Sequence, residues 1–227
     1  MKTDVFYKIK VEDLSDQVYK RLKKAITTNA LAPKERIDIN DLSEQLGVSR
    51  TPIKDAISRL SVEGLVTVLP KKGTYVTPFT TKDMSELFSI RLMLEAGFCH
   101  HIIHNVTLEN LKELENIIRI SERALEGSPE HFDYFFYNDL DAKFHEELMK
   151  ASGNERLVQV YRSLNFHTQV ARYYFEKYEE KLKRGQQEHI KILKALSQKD
   201  TESFEQHVRE HILAGQRHVL LLAGSIN

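Results

Sequence analysis

Between Asn40 and Leu60 the chain reads NDLSEQLGVSRTPIKDAISRL, and no other stretch limits its fold as much. The pattern predicts two short helices meeting at Gly47. Asn40 is expected to cap the first, and Gly47 to end it, because glycine enters the left-handed region without steric cost. Ser49 is expected to cap the second, with Pro52 in its first turn, where a missing backbone donor is not felt. Ile53, Ala56, Ile57 and Leu60 make the buried face of that second helix. Arg50, Thr51 and Lys54 are left facing outward near its positive end. This is the arrangement that sets a helix N-terminus into the major groove of DNA.

The flanking residues complete a small domain. Leu14, Val18, Leu22 and Ile26 recur every fourth residue, predicting one more helix before the pair. Lys20, Arg21, Lys23 and Lys24 fall off that stripe, toward water or phosphate. Downstream, Leu65–Leu69 and Thr74–Val76 read as a tight hairpin around Pro70-Lys-Lys-Gly73. Three helices and a hairpin make a winged helix-turn-helix. Arg50 can fork onto a guanine edge, Ser49, Thr51 and Lys54 suit bases or phosphates, and Lys71 and Lys72 suit phosphates or a minor groove. A winged module used only for protein contacts is the alternative, and the basic and hydroxyl cluster at the third helix start speaks against it. Residues 1–80 carry 14 Lys and Arg against 10 Asp and Glu, whereas the rest of this neutral chain is acidic. A basic first third suits a polyanion.

The stretch LSEQLGVSRTPIKDAISRLSVEGLVTVLPKKGTYV, with VYKRLKKAI before it, resembles the DNA-binding domain of the GntR family of bacterial transcription regulators over about residues 12–77. The chain departs from the family pattern in two places. Pro33-Lys34 stands where the family has Pro-Gly, and Lys54 stands where the recognition helix usually has Arg. Lysine cannot repeat arginine's two-pronged contact, so base choice there is expected to be looser.

After residues 77–81 the sequence turns helical to its end. Six segments are predicted: 82–105, 108–126, 129–151, 155–178, 180–198 and 201–222. All-helical bundle architecture follows. The domain plan is a winged domain over 1–77, a linker over 78–82 and a helical domain over 83–227, a mainly α protein. All ten histidines fall between His100 and His218, and the single Cys99 excludes an internal disulfide or a CxxC metal motif. Asp141 and His145 share a helix face at i, i+4, and His189 and His211 lie midway along two later segments, beside apolar residues. One carboxylate and three imidazoles converging in a bundle would bind a divalent metal through mixed nitrogen and oxygen, with one or two positions left open. The same residues could instead be hydrogen-bonded core groups. His207 is the second choice on the last helix, and Asp139 lacks the spacing to replace Asp141. His100, His101, His104 and His131 read as surface or loop residues.

DAKFHEELMKASGN, EHIKILKAL and REHI resemble the FCD domain, the helical ligand-binding half of one GntR branch. In that branch the matching Asp and three His bind a metal, which the resemblance carries to Asp141, His145, His189 and His211. Zinc is favoured, with nickel or manganese compatible. Arg91, in SIRLMLEAG, resembles the early FCD arginine beside the effector pocket. A guanidinium near a metal suits a small carboxylate, although Arg91 and Glu95 could simply be a helix pair at i, i+4.

The expectation is a dimeric, effector-responsive regulator that binds a near-palindromic double-stranded operator and answers to a small organic acid. A hydrolase-like metal enzyme and a direct metal sensor are the rivals. Against the enzyme, no clear general base adjoins the site, since Glu146 and Glu147 point away from the face of His145. No apolar run reaches membrane-span length and no signal-peptide core precedes the first helix, so a cytoplasmic protein is expected.

Overall fold

The structure, a computed structural model, describes residues 13–126, 132–164 and 179–224. The chain divides into two compact units, Met1–Pro78 and Phe79–Asn227.

The first unit runs α1 (Leu14–Thr27), β1 (Arg36–Ile37), α2 (Ile39–Leu46), α3 (Arg50–Val62), β2 (Val66–Leu69) and β3 (Gly73–Val76). Val18, Leu22 and Ile26 of α1 are buried against Ile53, Ala56, Ile57 and Leu60 of α3, while Leu14, the first residue of the predicted stripe, is 47% exposed. Lys23 departs from its expected outward role: its ammonium lies 3.2 Å from the Glu63 carboxylate and donates to the Tyr19 hydroxyl.

Asp38, not Asn40, caps α2, and its carboxylate accepts from the backbone N–H of Asn40 and Asp41. The shift is two residues because Ile39 already has helical geometry. Gly47 ends α2 at φ 65°, as its left-handed preference requires. Ser49 stands at the N-cap of α3 without bonding its own helix, so its hydroxyl is not spent on capping.

The hairpin gains a third strand that periodicity could not reveal, because β1 has only two residues. Arg36 opposes Tyr75 and Ile37 opposes Thr74, giving an antiparallel sheet of order β1-β3-β2. At the tip, the Lys72 N–H donates to the Leu69 carbonyl at 3.0 Å. Pro70 and Lys71 fill the two central positions of this turn, and Lys71 takes φ 62°, a conformation usually left to glycine or asparagine.

The second unit holds α4 (Thr81–Gly97), α5 (Cys99–Asn105), α6 (Leu108–Glu126), α7 (Tyr134–Lys150), α8 (Glu155–Ser163), α9 (Glu179–Ser197) and α10 (Thr201–Gly224). The first predicted segment is two helices, divided at Phe98. Helix α4 begins inside the expected linker, because Thr80 and Asp83 form a reciprocal capping box that fixes its start at Thr81. The predicted stretch 165–178 lies outside the described residues. Helix α10 packs on α4 and α9, and α6 packs on α7 and α9. Their shared core includes Met84, Phe88, Leu114, Phe144, Ile192 and Phe204. No described helix is long and apolar enough to cross a membrane.

Candidate metal centre and nucleic-acid interface

The buried stripes of three helices each give one position to histidine. On α7, His145 follows Phe144 in a face that also buries Tyr137, Leu140 and Leu148. On α9, His189 falls between Gln186 and Ile192, and on α10, His211 falls between the buried Val208 and Ile212. Their imidazoles meet: His145 Nε2 lies 3.2 Å from both His189 Nε2 and His211 Nε2, and the three form a group able to hold a metal ion. Asp141, one turn before His145, places a carboxylate oxygen 3.5 Å from His189 Nε2. The Phe144 ring stacks on His189 at 4.2 Å between centroids, walling one side.

The opposite ring nitrogens decide what the cluster can do. His145 Nδ1 lies 2.8 Å from Glu95 and His211 Nδ1 lies 2.9 Å from Glu188. A carboxylate only accepts, so both rings carry their hydrogen on Nδ1 and a neutral ring then offers only a lone pair at Nε2. Two lone pairs 3.2 Å apart repel unless a cation lies between them. Nitrogens bound about 2.1 Å from one ion are roughly 3.0–3.4 Å apart in octahedral or tetrahedral coordination. The donor set therefore fits a metal. Carboxylates on the far ring nitrogens, as at His145 and His211, are also the usual outer support of such a site.

Electrostatics point the same way. Burial, followed by the nearby Arg91 charge, holds His145 well below the ordinary histidine range. Burial and His211 push His189 down to about 3. Both are therefore neutral near pH 7, the form that ligates. Arg91 is only 4% exposed and ion-pairs with Glu95; burial opposes its charge, but the Glu95 carboxylate more than offsets this. Tyr161 donates to the same Glu95 oxygen at 2.8 Å, and burial, then Glu95, keeps that hydroxyl protonated.

The remaining candidates separate clearly. His207 faces Glu210 at 3.8 Å and does not join the cluster. His100, His101 and His104 are exposed on α5, and His131 and His167 lie outside the described residues. Glu146 pairs with Arg162 and Lys150, and Glu147 accepts from Asn110 and pairs with Lys150. The Arg91–Glu95 helix pair expected from the spacing is present, but the contact of Glu95 to His145, and the roles of Tyr161 and Glu188, were not foreseen. Glu95 alone had a signal: Met84, Phe88, Arg91 and Glu95 form one stripe of α4, so its charge belonged to the core.

In the first unit, Ser49, Arg50, Thr51 and Lys54 are exposed together over the first turns of α3, and Lys71 and Lys72 are exposed at the hairpin tip. Among the described residues, no ion pair engages Arg50, Lys54, Lys71 or Lys72. The helix start thus presents hydroxyl and basic groups ready for an external partner.

Comparison with known proteins agrees with this division. The model of bacterial regulatory proteins of the gntR family matches residues 14–76, and the FCD domain model matches residues 86–214. The chain is 30% identical to the uncharacterized HTH-type transcriptional regulator YdhC of Bacillus subtilis (strain 168) over 195 residues, 86% of each protein. Its fold is similar to that of E. coli McbR/YncC, with a TM-score of 0.70 at 23% identity, covering 96% of this chain and all of that one. It is also similar to the metal-free FCD domain of TM0439, with a TM-score of 0.50 at 19% identity, covering 65% of this chain and 99% of that domain. A basic winged helix and a helical domain built around three converging histidines thus occur in the order these models describe, and the chain belongs to the gntR family of bacterial regulatory proteins, in the branch that carries an FCD domain.

Proposed function

We propose that this protein is a cytoplasmic transcription regulator whose helical domain binds a divalent metal and, through it, a small organic acid that controls operator binding. The observation that carries this reading is the convergence of three imidazole Nε2 atoms, with the opposite nitrogens of His145 and His211 committed to carboxylates. Asp141, His145, His189 and His211 would hold the ion, zinc by preference and nickel or manganese compatibly. Bound there, the ion supplies an electropositive centre with coordination positions left for a carboxylate. Arg91, the effector-binding candidate, lies close enough to be felt at His145 and His189, but its charge is shared with Glu95, so the ion itself would be the main anchor for an anion. The acid alters DNA binding only to the extent that it binds one arrangement of the protein better than another.

In the first unit, Arg50 reads a base, Ser49, Thr51 and Lys54 contact bases or phosphates, and Lys71 and Lys72 contact backbone. One winged domain offers few contacts for specific binding, so two copies on a near-palindromic operator are required. The full chain is expected to sediment as a dimer at micromolar concentration without DNA; a monomer would place dimerisation on the operator.

Arg50→Ala is expected to lose roughly 1–3 kcal/mol on operator DNA and to flatten sequence preference. Lys71→Ala should weaken all sequences alike and lower the salt slope by about one. Binding titrations on operator and random duplexes at several salt concentrations separate the two effects. Equal losses on both duplexes for Arg50→Ala would contradict base reading by that residue.

A further inference from the structure

Glu95 has no part in the ligand set proposed above, yet it is 1% exposed and gathers three partners. Its Oε2 lies 2.8 Å from His145 Nδ1 on α7. Its Oε1 accepts from the Tyr161 hydroxyl on α8 at 2.8 Å and from Arg91 Nε on its own helix. With one oxygen held twice, the carboxylate cannot turn away from the imidazole.

We propose that Glu95 is the positioning residue that aims His145 at the metal and ties metal occupancy to helix α4. This rests on the metal reading above. As a pure acceptor, the carboxylate fixes the hydrogen of His145 on Nδ1 and leaves the Nε2 lone pair for the ion. Arg91 balances the buried charge, so the carboxylate is in place before an ion arrives. Tyr161 fixes its rotation. The consequence runs along α4. This helix is the first after β3, its start is set by the Thr80–Asp83 capping box, and it carries both Arg91 and Glu95. Any adjustment of His145 toward an ion is transmitted to Glu95, and so to the helix that opens the second unit. The Glu188 contact to His211 lacks this enclosure: the Glu188 side chain is 21% exposed and its other partner, Arg184, is 69% exposed.

The test uses the full chain, with zinc affinity measured by competition with a chromophoric chelator and cobalt as a spectroscopic probe. Glu95→Gln is expected to weaken zinc binding about 10–100-fold and to alter the visible spectrum of the cobalt-loaded protein. Hydrogen exchange supplies the readout that a merely structural role would not move. Zinc should slow amide exchange in Thr81–Gly97 of the natural protein, and should fail to do so in Glu95→Gln even at saturation. Zinc affinity within twofold of the natural protein, or unchanged zinc protection of α4, overturns the proposal. Should Glu95→Gln not fold, Tyr161→Phe takes its place: a several-fold loss of zinc affinity is expected, and no loss overturns the proposal. His145→Ala separates the two levels. If it loses zinc while Glu95→Gln keeps full affinity, only the role of Glu95 fails; if the natural protein binds no zinc or cobalt, the metal reading itself fails.

Discussion

Arg91→Ala should destabilise the second unit by about 3–5 kcal/mol, because it leaves the Glu95 carboxylate buried without its counter-charge. The pair stands at i, i+4, a spacing worth only tenths of a kcal/mol on an exposed helix. Here the two side chains are 4% and 1% exposed, so water cannot replace the lost partner. Helix α4 provides its own control. Lys82 and Glu86 have the same spacing, but are 83% and 61% exposed and 3.7 Å apart. Lys82→Ala should change stability by no more than about half a kcal/mol. Urea unfolding of both variants checks the contrast. Arg91→Ala falling within about 1 kcal/mol of the natural protein would show that Glu95 does not depend on this counter-charge.

Metal removal should produce the second large effect. An ion that binds only the folded chain adds stability of about 2.7 kcal/mol at a concentration one hundred times its Kd. A chelator should therefore lower the thermal midpoint, and zinc should restore it. The dependence on pH follows from the buried histidines. Free histidine, at about 6.5, would suggest loss of the ion near that pH. Burial depresses His145 well below that range and His189 to about 3, so protons displace the ion from these two ligands only under more acidic conditions. For the metal-free protein the sign is also fixed. The unfolded chain takes protons on both residues as pH falls below about 6.5, while the folded chain does not until far lower. Stability contributed by their neutral burial is present above that pH and declines toward pH 3. Thermal melts between pH 7 and 4, with and without zinc, measure both trends. Rising stability of the metal-free chain on acidification would contradict the neutral, buried state of these rings.

Much of this architecture is legible in the sequence because it is periodic. The stripes of α1 and α3, the glycine that ends α2 and the proline within α3 are local signals, and the structure expresses them locally. What escaped was set by tertiary partners. Strand β1 exists because β3 offers Arg36 and Ile37 an edge, and two residues carry no period. Lys23 was expected in solvent because its partner Glu63 lies 40 positions away in sequence. The four proposed ligand positions could be named from spacing and resemblance, but not the carboxylates behind His145 and His211. Glu188 immediately precedes His189, yet it serves His211 on the next helix. Tyr161 reaches Glu95 across 66 residues of sequence. Glu95 itself was hidden by an ordinary i, i+4 pattern, whose meaning changed once α7 and α8 covered it.

In the proposed function, His145, His189 and His211, with Asp141, form one divalent metal site per chain. Elemental analysis of the purified full-length protein tests this most directly. About one divalent ion per chain is expected in the natural protein and in His207→Ala, with loss of that ion in both His145→Ala and His189→Ala. Retention of the ion in those two variants, with loss in His207→Ala, would contradict the assignment. So would a natural protein that takes up no divalent ion when zinc, nickel and manganese are supplied.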